Sequence, residues 1–474
     1  MRNRRSSALG ALLGLVCVAS IVSVGAATET AYSAQSLLQS LPTPADFVSL
    51  SLYSEAYRAN STQPNNSAPS LIVAGKGSKQ LSFFELYGDA EALQNSTHGS
   101  THYLNVREAF VANTADSTGF KFSFGRKLQG WCKLDDYWKL GMWQPLFRWN
   151  FIDPDVVGLT GFFVSKELQN VQLLAFGSPL YIPELGGQLS VANGSLSSNN
   201  RFVTLPPSKV SLLGGMLPIQ YQLDQTSTKD IVFHPSGGGM VRVGQAKGTW
   251  GKLSYIYEPV PRIMLGYEGY LFPANQNIQV TLHPRVVYQH MAALEAGFTA
   301  KKWSSWVSVV GQHPVPDNTP GFWTIEEITP ALLATGVVDF EAFGEGQSAS
   351  HFGLSYLYST GGASPDQGPL AAPAQSIFES RYPYRSAAMA RAAVPLSLVG
   401  SKRWEASGRG VYEFTVTGII LSMDLTYKAE PHWQAGLGVD LVGSTSPSAP
   451  NGGADFTYLY RSDNRIRGKV SYVF

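Results

Sequence analysis

From Leu421 to Leu441 the side chains fall alternately on two faces. Leu421, Met423, Leu425 and Tyr427 lie on one, and Ser422, Asp424 and Thr426 on the other. A tight turn at Lys428 to His432, containing Pro431, leads into Trp433, Ala435, Leu437, Val439 and Leu441, which alternate with Gln434, Gly436, Gly438 and Asp440. Successive side chains of a strand point to opposite sides of a sheet, so this period-two text is a β-hairpin with one apolar face. The same alternation predicts strands at Phe47–Tyr57, Leu81–Ala92 and Phe120–Lys127. Further ones are expected near Lys252–Tyr257, Ile263–Leu271, Phe352–Tyr358 and Val411–Gly418. The chain reads as all-β throughout, with no soluble domain boundary and no short repeat.

Two architectures suit such strands. In a soluble sandwich the apolar face is core and the polar face meets water. In a transmembrane barrel the apolar face meets lipid and the polar face lines a lumen. Composition narrows the field. Only 15% of the 474 residues are charged, against about 25% in ordinary soluble proteins. Lys and Arg number 35 against 34 Asp and Glu, and aromatic residues make up 12%. Disorder requires low hydrophobicity with high net charge, and nucleic-acid binding a basic excess, so neither fits. After the N-terminal stretch no apolar run is long enough for a spanning helix.

Both ends of the chain favour the barrel. Arg2, Arg4 and Arg5 precede an apolar stretch from Ala8 to Val24, then Gly25, Ala26 and Ala27. Residues 1–27 are expected to be a cleaved secretory leader, followed by a short periplasmic segment at 28–45. Cys17 lies in the leader, which leaves Cys132 alone and excludes an intrachain disulfide. At the other end Ile466, Gly468, Val470, Tyr472 and Phe474 share one face, and Arg467, Lys469 and Ser471 the other, with Val473 the one exception. An alternating strand ending in an aromatic residue resembles the terminal strand of Gram-negative outer-membrane barrels. That resemblance implies Tyr472 and Phe474 as the signal read by the barrel-assembly machinery.

The expected fold is therefore a transmembrane antiparallel β-barrel occupying residues 46–474. Spanning strands with their connections take roughly 22–25 residues each, so the chain holds about 18 strands, within 16 to 20. Short periplasmic turns should alternate with long extracellular loops. Long loops are expected at Asn60–Lys79, Leu128–Val157, Gln188–Ser208, Gln312–Ser350, Thr360–Arg381 and Ser444–Ala454. Tyr427 and Trp433, flanking the 428–432 turn, sit where an interfacial aromatic girdle would place them.

The most distinctive text runs from Arg107 to Gly161. It opens Arg107-Glu108-Ala109-Phe110, passes through Phe120–Phe124 to Gly125-Arg126-Lys127, and continues into a Trp-rich loop at 128–157 carrying Trp131, Trp138, Trp143 and Trp149. It is similar to porin-type barrels, including alginate-export-like channels, in which an Arg-Glu-Ala-aromatic strand precedes one ending Gly-Arg-Gln and then a Trp- and Asp-bearing loop. Lys127 replaces the Gln here. Two readings of the loop stand. Folded inward, it makes a constriction in which Arg107, Glu108, Arg126, Lys127, Asp135, Asp136 and Arg148 set a transverse field, and Trp131 and Trp138 offer stacking faces to solutes. Folded outward, it is a compact external loop whose tryptophans simply pack.

Other clusters are less telling. Arg381, Arg385, Arg391, Lys402, Arg403 and Arg409 face only Glu405 within their segment, as an anion-attracting wall, a lipopolysaccharide contact or a solvated face would. Residues 317–345 lean acidic without the spacing of a calcium loop. His98 and His102 lack a helix to make them a zinc pair, and His234-Pro235-Ser236 lacks the nucleophile elbow, so no enzyme, metal or cofactor is expected. Expected partners are outer-membrane lipid, lipopolysaccharide and the assembly machinery, with homo-oligomers possible and nucleic acid excluded. The leading function is passive passage of small hydrophilic solutes or an exported polymer. The alternatives are a structural or attachment barrel within a larger machine, and an outer-membrane hydrolase.

Overall fold

The computed structural model describes residues 47–474 except 58–68, 82, 96–101, 114–118, 188, 199, 201, 204, 213, 246, 273–276, 345–348, 363–380, 399–400, 430–431, 446–454 and 462. The expected leader, the 28–45 segment and His98 lie outside the described residues.

Eighteen strands form the wall. They are β1 Phe47–Tyr57, β2 Ser70–Leu81, β3 Phe84–Asn95, β4 His102–Asn113, β5 Phe120–Lys127 and β6 Leu159–Leu168. There follow β7 Val171–Ser178, β8 Ser236–Gly244, β9 Gly248–Pro259, β10 Tyr288–Thr299, β11 Trp303–Pro314 and β12 Ala331–Ala342. The last six are β13 Ser350–Gly361, β14 Ser386–Leu398, β15 Ser401–Glu413, β16 Gly418–Lys428, β17 Trp433–Ser444 and β18 Arg465–Val473. Each pairs antiparallel with the next, and β18 closes on β1, from Ser49 opposite Val473 to Tyr57 opposite Arg465. Closure leaves no free sheet edge. The fold is a closed 18-stranded antiparallel β-barrel.

Connections differ at the two ends. Those after even-numbered strands span two to seven residues, and both barrel termini lie at that end. Those at the other end include the long stretches 128–158, 179–235, 260–287 and 362–385. The outer face is apolar: Leu52, Leu104, Phe122, Phe162, Leu253, Leu294, Val307, Leu354 and Leu437 are each about half exposed or more. Soluble monomers rarely show more than a few hundred Å² of contiguous apolar surface, and this belt goes round the cylinder. The alternation read from β16 to β18 holds. Met423, Leu437, Ile466 and Val470 point outward, while Ser422, Asp440, Arg465 and Ser471 are buried inside.

Several expected boundaries need correction. The predicted strand Leu81–Ala92 spans the turn between β2 and β3, and the predicted loop Asn60–Lys79 contains most of β2. The inner face of β2 carries Ile72 and Ala74 beside Lys76 and Ser78, which blurs its period. The predicted loop Gln312–Ser350 contains β12. Met264–Phe272 is a strand but not part of the wall. It pairs with Asn277–Arg285 in a five-stranded sheet at the loop end, completed by 209–212, 215–223 and 324–325. The strand predicted to run to Gly418 stops at Glu413, before a turn in which Thr417 takes a positive φ of 49°.

Candidate functional site in the barrel lumen

The segment between β5 and β6 folds inward. Its entry and exit are gripped at one place on β4. Asp89 stands opposite Glu108, but Ala90 stands opposite Val106, so Arg107 is an extra residue in the ladder. Such a bulge breaks the alternation, and it lets neighbouring Arg107 and Glu108 serve the same side. A Glu108 carboxylate oxygen accepts from the Leu128 amide at 2.9 Å, and the Arg107 carbonyl accepts from the Gly158 amide at 3.0 Å. Between these two points the chain crosses the lumen and forms helix α1, Lys133–Trp138, which ends at Lys139 in the left-handed conformation (φ 50°).

One side of the segment is dry. Trp131, Cys132, Leu134, Met142 and Trp143 are essentially unexposed. They share a core with Phe163 of β6, Phe176 of β7, Met240 of β8, Ile256 of β9, Met291 of β10 and Val310 of β11. The Trp131 and Trp143 rings stack with centroids 6.1 Å apart. Buried polar groups need partners, and polar residues on the inward faces of β9, β10 and β12 supply them. Lys252 Nζ donates to the Gly130 carbonyl at 3.0 Å, and Ser254 Oγ to the Trp131 carbonyl at 2.7 Å. Glu295 accepts from the Lys133 amide at 2.6 Å, and Thr335 Oγ1 from Trp138 Nε1 at 3.1 Å. Inside the segment, Asp135 accepts from the amides of Met142 (3.0 Å) and Trp143 (2.8 Å). Burial pushes this carboxyl up to about 6, against the pull of those two amides.

The other side is charged. Arg107 Nε donates to Asp89 at 2.9 Å, and Asn105 Nδ2 to Asp155 at 3.1 Å. Lys139 Nζ lies 2.8 Å from Asp153, and Arg409 adds a contact to it at 3.4 Å and donates to the Ile152 carbonyl at 2.6 Å. Burial raises the Asp153 carboxyl, but Lys139 and Arg409 more than offset this and hold it at about 2. On the wall beyond, Arg465 bridges Asp440 (2.6 Å) and Glu55 (2.9 Å), and Arg467 bridges Asp440 (2.9 Å) and Asp424 (3.0 Å). Arg391 sits 3.4 Å above the Tyr137 ring, whose hydroxyl reaches Asp339 at 3.1 Å. Gly353 makes room for this cluster: a Cβ there would stand 2.7 Å from the Tyr137 hydroxyl.

The structure thus brings most of the predicted site residues together, in altered roles. Arg107 and Glu108 face inward and anchor the segment. Lys127 also turns inward, onto Ser123 Oγ at 3.2 Å and over the Phe110 ring. Arg126 does not. It pairs with Ala109 and Thr160, in the outward row of Phe120, Phe122 and Phe124, and donates to the Val106 carbonyl freed by the bulge (2.9 Å). Trp131 and Trp138 are not stacking faces for solutes, because both are buried in the core. Asp135 is likewise a buried internal cap, whereas Asp136 keeps partial exposure. Arg148 lies against Glu184 at 2.9 Å. Of the basic segment, Arg381, Arg391 and Arg409 are buried inside the barrel. His234 bonds Tyr288 and the Asp230 carbonyl rather than Ser236. At the turn end, Tyr472 packs against Trp433 and Phe474, and the Phe474 amide donates to Val48 across the seam. Sequence reading missed the wall residues Lys252, Ser254, Glu295 and Thr335. At inward positions that also carry Glu258, Gln289, Ser308 and Gln312, nothing local marks them out.

No protein-family model and no curated protein matches the chain. Solved structures similar to it are outer-membrane barrels. OccK11 (OpdR) of Pseudomonas aeruginosa is 11% identical over 90% of this chain and 95% of its own, with a TM-score of 0.45. OccAB1 of Acinetobacter baumannii is 10% identical over 90% and 96%, also at 0.45. Wzi of Escherichia coli, an outer-membrane carbohydrate-binding β-barrel involved in group 1 capsule assembly, is 11% identical over 90% and 84%, at 0.41.

Proposed function

We propose that the protein is a porin-like channel of the Gram-negative outer membrane, in which residues 128–158 form a fixed partial plug. Small hydrophilic solutes would pass along the charged side of the plug. The apolar belt supports the membrane placement. Trp433, Tyr472 and Phe474 form an aromatic cluster at the turn end, with Tyr427 packed on Trp404 nearby, and this end would face the periplasm and serve barrel assembly. One observation carries the channel reading: the inserted segment, packed against the wall elsewhere, meets it through charged groups of β4, β14 and β15, with the Arg465–Asp440–Arg467–Asp424 network on the wall beyond. Charged walls in a narrow passage select by size and sign. A polymer of any bulk would have to displace the plug, so small solutes are favoured.

Planar-bilayer recording tests this. The purified barrel should give small, ion-selective steps, and replacing residues 131–152 by a short Gly-Ser linker should enlarge them. A wild-type protein that gives no steps would favour the second reading, a closed structural barrel, for which the fully buried Trp131–Trp143 core speaks.

A further inference from the structure

Above the plug, at the loop end, lies a cavity between the inserted segment and residues 381–384 and 456–460. Lys139, Arg148, Arg381 and Arg409 line it, and no carboxylate does. Three of these cations have partners behind the cavity wall: Asp153 for Lys139 and Arg409, and Glu184 for Arg148. Arg381 differs. It is 1% exposed, and none of its three guanidinium nitrogens has a hydrogen-bond partner among the described residues. Asp135 and Glu258 act on it through space, but neither accepts a hydrogen bond from it, and the Asp135 oxygens are engaged by the Met142 and Trp143 amides. A buried guanidinium with five free N–H donors is a strong demand for an acceptor. Trp138 and Tyr384 close the sides of the cavity.

We infer that this cavity binds a compact oxyanion — sulfate, phosphate or a small carboxylate — on Arg381, with Lys139, Arg148 and Arg409 adding charge. A planar guanidinium matches two oxygens of such an anion at once, and a dry site strengthens that pairing. The site needs only the cavity, so it stands whether or not the barrel conducts.

The test is isothermal titration of the full-length, detergent-folded barrel with sodium sulfate, phosphate and benzoate, each against sodium chloride of equal ionic strength. At least one oxyanion should bind saturably where chloride does not, and the three arms tell which chemistry is preferred. Arg381→Gln should weaken that binding by about tenfold or more, and Arg381→Lys by less. Lys469→Gln, far down the lumen on β18, should leave it unchanged. If Arg381→Gln does not fold, Arg148→Gln should weaken binding in its place. Absence of saturable binding by all three oxyanions, or unchanged affinity in the folded Arg381→Gln protein, would overturn the inference.

Discussion

Strands β9–β12 and strands β14–β18 face the same inserted segment with different balances of packing and charge. The first group meets it with Ile256, Met291, Trp306, Val310 and Leu333, while Lys252, Ser254 and Glu295 satisfy backbone groups of the segment and Lys252 also pairs with Glu295. The second adds Ala387, Met389, Val411, Ile420 and Val442 to the same core, but also meets the segment with Arg391 and Arg409 and continues into the Arg465–Asp440–Arg467–Asp424 network. A dry contact holds by packing and tolerates no gap. A charged contact holds by pairs that water can partly replace, so it is where the proposed passage would run. The difference teaches that packing alone and packing joined to charge pairing hold the segment on different arcs of one wall.

The comparison can be broken most sharply on the dry side. Trp143→Ala removes a fully buried ring stacked on Trp131 and should cost about 3–5 kcal/mol. Thermal unfolding, followed by the change in gel mobility of the barrel on heating, checks this. A shift no larger than that of a surface substitution would mean that the core does not hold the segment.

Acid should act in opposite senses through two carboxyls of the inserted segment. The Asp135 carboxyl, at about 6, lies above its ordinary 3.8. The folded state therefore binds the extra proton more tightly, and stability rises as pH falls from about 6 towards 4. The Asp153 carboxyl, at about 2, lies below its ordinary value, so the stability it contributes is present above pH 4 and is lost as pH falls from about 4 to 2. Unfolding midpoints measured across this range should pass through a maximum near pH 4–5. Asp135→Asn should flatten the rise, and Asp153→Asn the fall. The smallest effect belongs to the exposed edge of the wet side: near neutral pH, Lys139→Gln should cost about 1 kcal/mol or less, while shifting ion selectivity in bilayer recordings.

The same contrast explains what the sequence made legible. β1, β5, β16, β17 and β18 announce themselves, because an apolar outer face lies on one side and polar or charged groups on the other. β10, β11 and β12 escape a period-two reading. In β12 Leu333 and Val337 are buried against the core while Leu332 and Val338 face outward, so both faces are apolar and the alternation disappears. A wall strand covered by a plug looks like a buried strand of any protein. Strand number follows from length alone, and the C-terminal strand was readable from its alternation. Arg107 and Glu108 were recognisable by residue type, but the bulge that aims both inward, and that leaves Arg126 on the outer face, belongs to strand pairing and leaves no local mark.

Solvent access to two positions of the inserted segment tests the central claim most directly. Native Cys132 is the free thiol of the dry side, lying 3.8 Å from Ser308 Oγ with no exposed surface. Asp153→Cys, in a Cys132→Ser background, places a thiol on the wet side. A membrane-impermeant methanethiosulfonate reagent applied to the folded barrel should modify the thiol at 153 and leave Cys132 untouched until the protein is unfolded. Cys132 reacting in the folded state as fast as the thiol at 153 would contradict a plug sealed on one side and wet on the other.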